Sequence, residues 1–321
     1  MNRVPGSAVA LSRVFACVLF LAGSASAQQD WPNRSIRVIT GAGPAGTPTL
    51  TARIVTEPMS QSLGQPIVVD PRVGAGGNLA ADLTAKAAPD GYTFMLATNG
   101  SHGIAPSLYQ KLPFDSIKDF AGVAKVVEVP TFLFAIDGLK VRTVQELVAY
   151  AKANPGKLNY ASVGAGSFSH LAGVMFERSA DIRLIHVPYK TTVEMLPAIA
   201  AGEIHVAFLN ARAAKGAIPL AIASQARDEL LPVPTFTELG LKNIELTQWY
   251  GFVTAAKTPQ PIVERFAAEV QRALRNPELV KRLAGVPAVP AYLGPRAFES
   301  FYHGEIAQWA VVVKASGATA D

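Results

Sequence analysis

Ile36-Arg-Val-Ile-Thr-Gly-Ala-Gly-Pro-Ala-Gly-Thr-Pro-Thr-Leu-Thr-Ala-Arg53 is the stretch on which the fold turns. Its β-branched run, Ile36, Val38 and Ile39, reads as a buried strand. A glycine-rich turn follows, Gly41-Ala-Gly43-Pro-Ala-Gly46. From about Thr49 the apolar residues Leu50, Ile54 and Met59 fall near helical spacing. A strand, a flexible turn and a helix start leave unpaired backbone N–H groups facing one small volume. The helix dipole adds partial positive charge there, so the turn suits an anion, and a carboxylate is expected.

The same grammar repeats downstream. Gln65-Pro-Ile-Val-Val-Asp70 reads as a second strand, Gly74-Ala-Gly-Gly-Asn78 as a second turn, and Leu79 to Ala88 as a helix. Tyr92 to Thr98 reads as a third strand, followed by Asn99-Gly-Ser-His-Gly103. Strand–helix–strand–helix–strand predicts a parallel sheet covered on both faces, with three turns at its carboxyl edge, where α/β proteins bind ligands.

Half of the 321 residues are hydrophobic and 17% are charged, which predicts a sizeable core and no long disordered region. Residues 1–27 read as a cleavable signal peptide. Arg3 and Arg13 supply charge, Val14 to Leu21 is a short apolar run, and Ala25-Ser-Ala27 has the small-x-small form at a cleavage site. Its removal takes the only cysteine, Cys17, and two arginines, lowering the net charge from +5 to +3. The expectation is an exported, periplasmic chain without disulfide or thiol chemistry. No run of lysine and arginine stands out, so nucleic acid is not an expected partner.

Thr131-Phe-Leu-Phe-Ala-Ile136 is an unbroken apolar strand, and a crossing into a second lobe is expected near residue 130. Thr143-Val-Gln-Glu146 is a capping box for a helix over Val144 to Ala153. A strand near Asn159 to Ala161 then runs into Ser162-Val-Gly-Ala-Gly-Ser-Phe-Ser-His170, which repeats the logic of the first turn. Gln248-Trp-Tyr-Gly-Phe-Val-Thr254 returns the chain near residue 250, and the helical tail carries core-facing stripes such as Phe298, Tyr302, Ile306, Trp309 and Val313. The expected division is 28–129 with 250–321 as one lobe and 130–249 as the other.

In Trp31-Pro-Asn-Arg-Ser-Ile-Arg-Val-Ile, Leu63-Gly-Gln-Pro-Ile-Val-Val-Asp, Ala88-Pro-Asp-Gly-Tyr-Thr, Lys157-Leu-Asn-Tyr-Ala-Ser, His186-Val-Pro-Tyr-Lys, Trp249-Tyr-Gly and Trp309-Ala-Val-Val-Val-Lys-Ala-Ser-Gly, the chain resembles the Bug-type periplasmic solute receptors of tripartite tricarboxylate transporters. The resemblance runs along the whole chain after residue 27. It implies an α/β, two-lobed periplasmic-binding-protein fold of type II-like form, each lobe a mostly parallel sheet flanked by helices, with two hinge crossings. It also implies a cleft that closes on a small organic acid, and membrane permease subunits as partners. Carried over by position, the ligand-binding residues are Gly43, Ala45, Gly46, Thr47 and Thr49 in the first turn and Gly166, Ser167, Phe168 and Ser169 in the second. Tyr189, Thr191 and Asn210 match nearby cleft segments. Thr49 and Thr191 depart from the aspartate and glycine that relatives usually carry, and Leu209 stands where relatives often have aspartate. Fewer acids at the cleft imply a ligand with carboxylate but no ammonium, its body against Phe168.

Other classes read less well. Gly41-x-Gly-x-x-Gly46 with Asp70 matches a dinucleotide fingerprint, but an exported chain meets little such cofactor, and Pro44 and Pro48 are read as interrupting the helix start. No cofactor is expected. Ser167, Ser169 and His170 do not form a Gly-x-Ser-x-Gly elbow, and the five histidines lack metal-ligand spacing, so neither catalysis nor a metal site is expected. A ligand-presenting sensor for a kinase and an exported hydrolase are the alternatives to a transport receptor.

Overall fold

β1 (Ile36–Thr40) pairs in parallel with both β2 (Ile67–Pro71) and β3 (Thr93–Thr98). The connections are α1 (Thr47–Leu63) and α2 (Asn78–Ala85). In this computed structural model the described residues are 31–320 except 243, 245 and 246. The expected signal segment, Cys17 and the cleavage site near Ala27 lie outside them. Pro48 stands in the first turn of α1 instead of interrupting it, because an N–H there has no helical acceptor to lose.

After β3 the chain makes a π-turn over 99–104 and the short α3 (Ala105–Leu108). β4 (Phe120–Val129) then runs to the sheet edge. Only Pro130 and Thr131 separate it from β5 (Phe132–Ile136), which belongs to a second sheet and is buried at every position. The second lobe continues with α4 (Val144–Ala153), β6 (Asn159–Ser162), α5 (Phe168–Ala180), β7 (Ile185–Pro188), α6 (Thr192–Ala201), β8 (Val206–Leu209) and β9 (Ala217–Ile222). The capping box at α4 forms as expected, with Thr143 Oγ1 accepting from the Glu146 N–H and the Glu146 carboxylate accepting from the Thr143 N–H. β10 (Gln248–Ala255) returns to the first sheet, followed by α7 (Gln260–Leu274), α8 (Pro277–Ala284), β11 (Val289–Leu293) and α9 (Pro295–Ser316).

The sheet orders are β11-β4-β10-β3-β1-β2 and β7-β6-β8-β5-β9. Both sheets are mixed, where mostly parallel ones were expected. The reason is the hinge: a strand that enters a lobe from the crossing runs away from the edge at which β1, β3, β6 and β8 end. β10 does so against β3, and β5 against β8.

Each sheet is covered on both faces. In the first lobe α1 and α7 bury Val55, Met59, Phe266 and Val270 on one face, while Ala80, Phe298 and Tyr302 cover the other. α9 does not stay in the first lobe. Its start packs there, while Trp309, Val312 and Val313 lie in a core cluster shared by Ile104 and Leu108 of the first lobe and Phe168 and Leu171 of the second. No helix among the described residues is long and apolar enough to cross a membrane.

Candidate functional site

Topology brings the two glycine turns to one gap. β4 leaves the first sheet at the edge where β1 and β3 end, as the pairings Gln248 with Val129 and Tyr250 with Thr98 define. Two residues later β5 enters the second sheet at the edge where β6 and β8 end, with Phe132 opposite Leu209. The turn after β1 and the turn after β6 therefore open into the space between the sheets. The lobes also touch there: a methyl group placed on Gly166 would lie 2.3 Å from Leu108 Cδ1.

The first turn is closed by its own backbone. The Gly46 N–H donates to the Gly43 carbonyl at 2.9 Å, so the predicted Gly46 donor is already spent. Thr49 is also withdrawn from the cleft. It is fully buried, shares a 2.8 Å hydrogen bond with Thr40 Oγ1, and donates to the Ala42 carbonyl at 3.0 Å. What the turn offers are the N–H groups of exposed Ala45 and half-buried Thr47, which, like those of Gly43 and Thr49, have no partner among the described residues. Gly41 is needed for close packing, since a Cβ there would lie 2.6 Å from Gly77 Cα. The dinucleotide reading loses its acid as well. Against the upward push of burial, Arg37 and Arg72 hold the Asp70 carboxyl below the usual range and occupy it.

The second turn is braced by two histidines. Gly166, at φ +73°, donates its N–H to His170 Nδ1 at 3.0 Å, so it too is spent. Ser162 Oγ accepts from the Gly164 N–H at 3.1 Å and lies 2.5 Å from His186 Nε2. The two imidazole rings stand 4.2 Å apart, centroid to centroid. Ser167 caps α5 by accepting from the His170 N–H, and Ser169 Oγ accepts from the Val163 N–H. The N–H groups of Ala165, Phe168 and Ser169 are left without a partner among the described residues. The Phe168 ring packs against Trp309 at 5.6 Å in the core, so it is not the expected apolar wall for a ligand.

Neither α1 nor α5 has an acidic residue in its first turn, whereas α4 carries Glu146 and α6 carries Glu194 there. The starts of α1 and α5, which follow the two glycine turns, thus keep their positive ends uncompensated, whereas α6, which starts at the same edge as α5, carries Glu194.

The outlying predicted residues fall elsewhere. Thr191 caps α6, accepting from the Glu194 N–H. The Tyr189 side chain packs on the second lobe's core beside α6. Asn210 ties both crossings together instead of reaching for a ligand. Its Nδ2 donates to the Pro130 carbonyl and to Thr131 Oγ1, and its Oδ1 accepts from Gln248 Nε2 at 2.8 Å. Trp249 and Tyr250 are buried in the hinge core. No cluster of metal-ligating side chains is found among the described residues.

Burial, with His186 adding to it, depresses His170 from 6.5 to about 4, and burial alone takes His102 to about 3. Both values lie below that of the unfolded chain. Their contribution to stability is therefore full above about pH 6.5 and is lost as pH falls toward 4 for His170 and toward 3 for His102, at up to about 1.4 kcal/mol per pH unit for each imidazole. Glu177 and Glu305, pushed up by burial, act in the opposite direction. Comparison with His170→Asn isolates the histidine. The melting-temperature gap between wild type and this variant is expected to narrow from pH 7 to pH 4.5, and a constant gap would refute the role given to His170.

Two lobes hinged by short crossings, with facing glycine turns at helix starts, define a solute-binding protein of the periplasmic type. A profile of the tripartite tricarboxylate transporter family receptor matches residues 51–318, and the chain belongs to that family. It is 31% identical to protein BugT of Bordetella pertussis, with 97% of each chain covered. Among solved structures, R. palustris Rpa4515 with adipate is 30% identical, covering 90% of this chain and 99% of that one, with a TM-score of 0.80. MatC from Rhodopseudomonas palustris with bound malate is 32% identical, covering 88% and 100%, with a TM-score of 0.75.

Proposed function

We propose that the chain is an exported periplasmic receptor, cleaved near Ala27, that captures a small carboxylate between its lobes and presents it to membrane permease subunits. The observation that carries this reading is the pair of acid-free helix starts, α1 and α5, opening on one gap with unspent main-chain N–H groups. Ala45 and Thr47 hold the anion from one side, and Ala165, Phe168 and Ser169 from the other. Closure is a population shift, because a ligand that bridges both lobes favours the state in which both reach it. Binding and release are the whole task, and no bond of the ligand is made or broken. The adipate and malate bound to the two relatives support a carboxylate, and the scarcity of acids at the turns supports a ligand without ammonium. The proposed lobes are 28–129 with 250–308, and 130–249 with the end of α9.

A thermal-shift screen of malate, adipate, citrate, benzoate and glutamate tests this. A ligand at a hundred times its dissociation constant adds about 2.7 kcal/mol of stability. At least one acid without ammonium is expected to raise the melting temperature by several degrees, and more than glutamate does. A flat response to every acid, or glutamate as the strongest, would contradict the reading.

A further inference from the structure

A groove of about 900 Å³ runs between α5 and the second half of α9, away from both glycine turns. Val174, Met175, Val311 and Val312 make its apolar floor, and Val311 is 71% exposed. Arg178 and Lys242 also line it, and among the described residues no carboxylate does. These two cations come from neighbouring segments. Ser179 Oγ donates to the Lys242 carbonyl at 2.9 Å, which pins that segment beside Arg178. Neither cation has an ion-pair partner among the described residues. Glu177 and Asp181 stand in a separate depression that shares Arg178.

We propose that this groove binds an amphipathic anion with a single head, an apolar chain carrying one acid group. The volume lies in the range of small-molecule pockets, which are mostly apolar with a few placed polar groups. An open apolar surface marks a contact site, and two cations without an ion-pair partner among the described residues select the sign of the occupant's charge. The Arg178 guanidinium offers a planar fork that fits a carboxylate, and Lys242 adds a second positive charge. A chain with a single head suits the site because the two cations stand on neighbouring segments while Val174, Met175, Val311, Val312 and Ala315 are apolar. The site shares no residue with the cleft and does not depend on what the cleft binds.

The test is calorimetry with decanoate, kept below its micelle concentration, and with decylammonium as the cationic counterpart. Wild type is expected to bind decanoate at least tenfold more tightly than decylammonium. The variant Val311→Asp, at an exposed position that carries no folding load, and the double variant Arg178→Gln/Lys242→Gln should each weaken decanoate at least tenfold. Thr47→Pro, which alters only the cleft, should leave it unchanged. The proposal is overturned if decanoate fails to bind, if decylammonium binds equally well, or if Thr47→Pro rather than the groove variants removes binding.

Discussion

Gly166→Val is expected to weaken carboxylate binding more than about thirtyfold while the chain remains folded. Gly166 sits at φ +73°, a region that costs an L-residue roughly 1–2 kcal/mol and a β-branched one more. The larger effect is at the lobe contact. The new Cβ would meet Leu108 Cδ1 at 2.3 Å and Cδ2 at 2.5 Å, and Leu108 belongs to the first lobe. Separating the lobes relieves that clash, so the substitution favours the open state over the binding-competent one. Apparent affinity then falls with the closed fraction. Calorimetry with the acid found by the screen measures the loss. Adding Leu108→Ala to Gly166→Val should recover part of it, because the space returns while the backbone strain stays. Wild-type affinity in Gly166→Val would show that the lobes do not close at this contact.

Thr47→Pro is expected to weaken binding by about 10–100-fold with little change in melting temperature. Thr47 is the first residue of α1, where proline is well tolerated, and Gly46 at φ −69° and ψ 144° already has the extended conformation favoured before proline. The substitution removes one main-chain donor without removing an intrahelical bond. A hydrogen bond to a charged acceptor is worth about 1.5–3 kcal/mol, which sets the size of the loss. Thr47→Ala keeps the donor and drops the hydroxyl, so it should bind nearly as wild type. Equal losses in both variants would assign the contact to the side chain.

The elements that were legible in the sequence are those fixed by local chemistry. The β1–turn–α1 unit follows from a β-branched run, three glycines and helical spacing. The Thr143–Glu146 box marks the start of α4 because both partners lie within one turn. What sequence did not disclose are the choices made at long range. Gly46 and Gly166 read as donors, yet which N–H groups remain unspent depends on the Gly43 carbonyl and on a histidine ring. His170 and His186 are sixteen positions apart and meet only because β6 and β7 pair in parallel. Asn210 carries a good ligand-binding side chain, but β8 delivers it to the crossings, where Pro130, Thr131 and Gln248 use it fully. Phe168 had the right neighbourhood and the wrong direction, since α9 brings Trp309 to cover its ring.

The central claim is that main-chain groups of two facing turns hold the anion together. Amide ¹H–¹⁵N spectra of the deuterated protein, titrated with the carboxylate that raises its melting temperature most, test it directly. The account predicts downfield movement of the Ala45, Thr47, Ala165, Phe168 and Ser169 amide protons, all at one saturating concentration. Movement confined to one turn, or concentrated elsewhere while these five stay fixed, would contradict it.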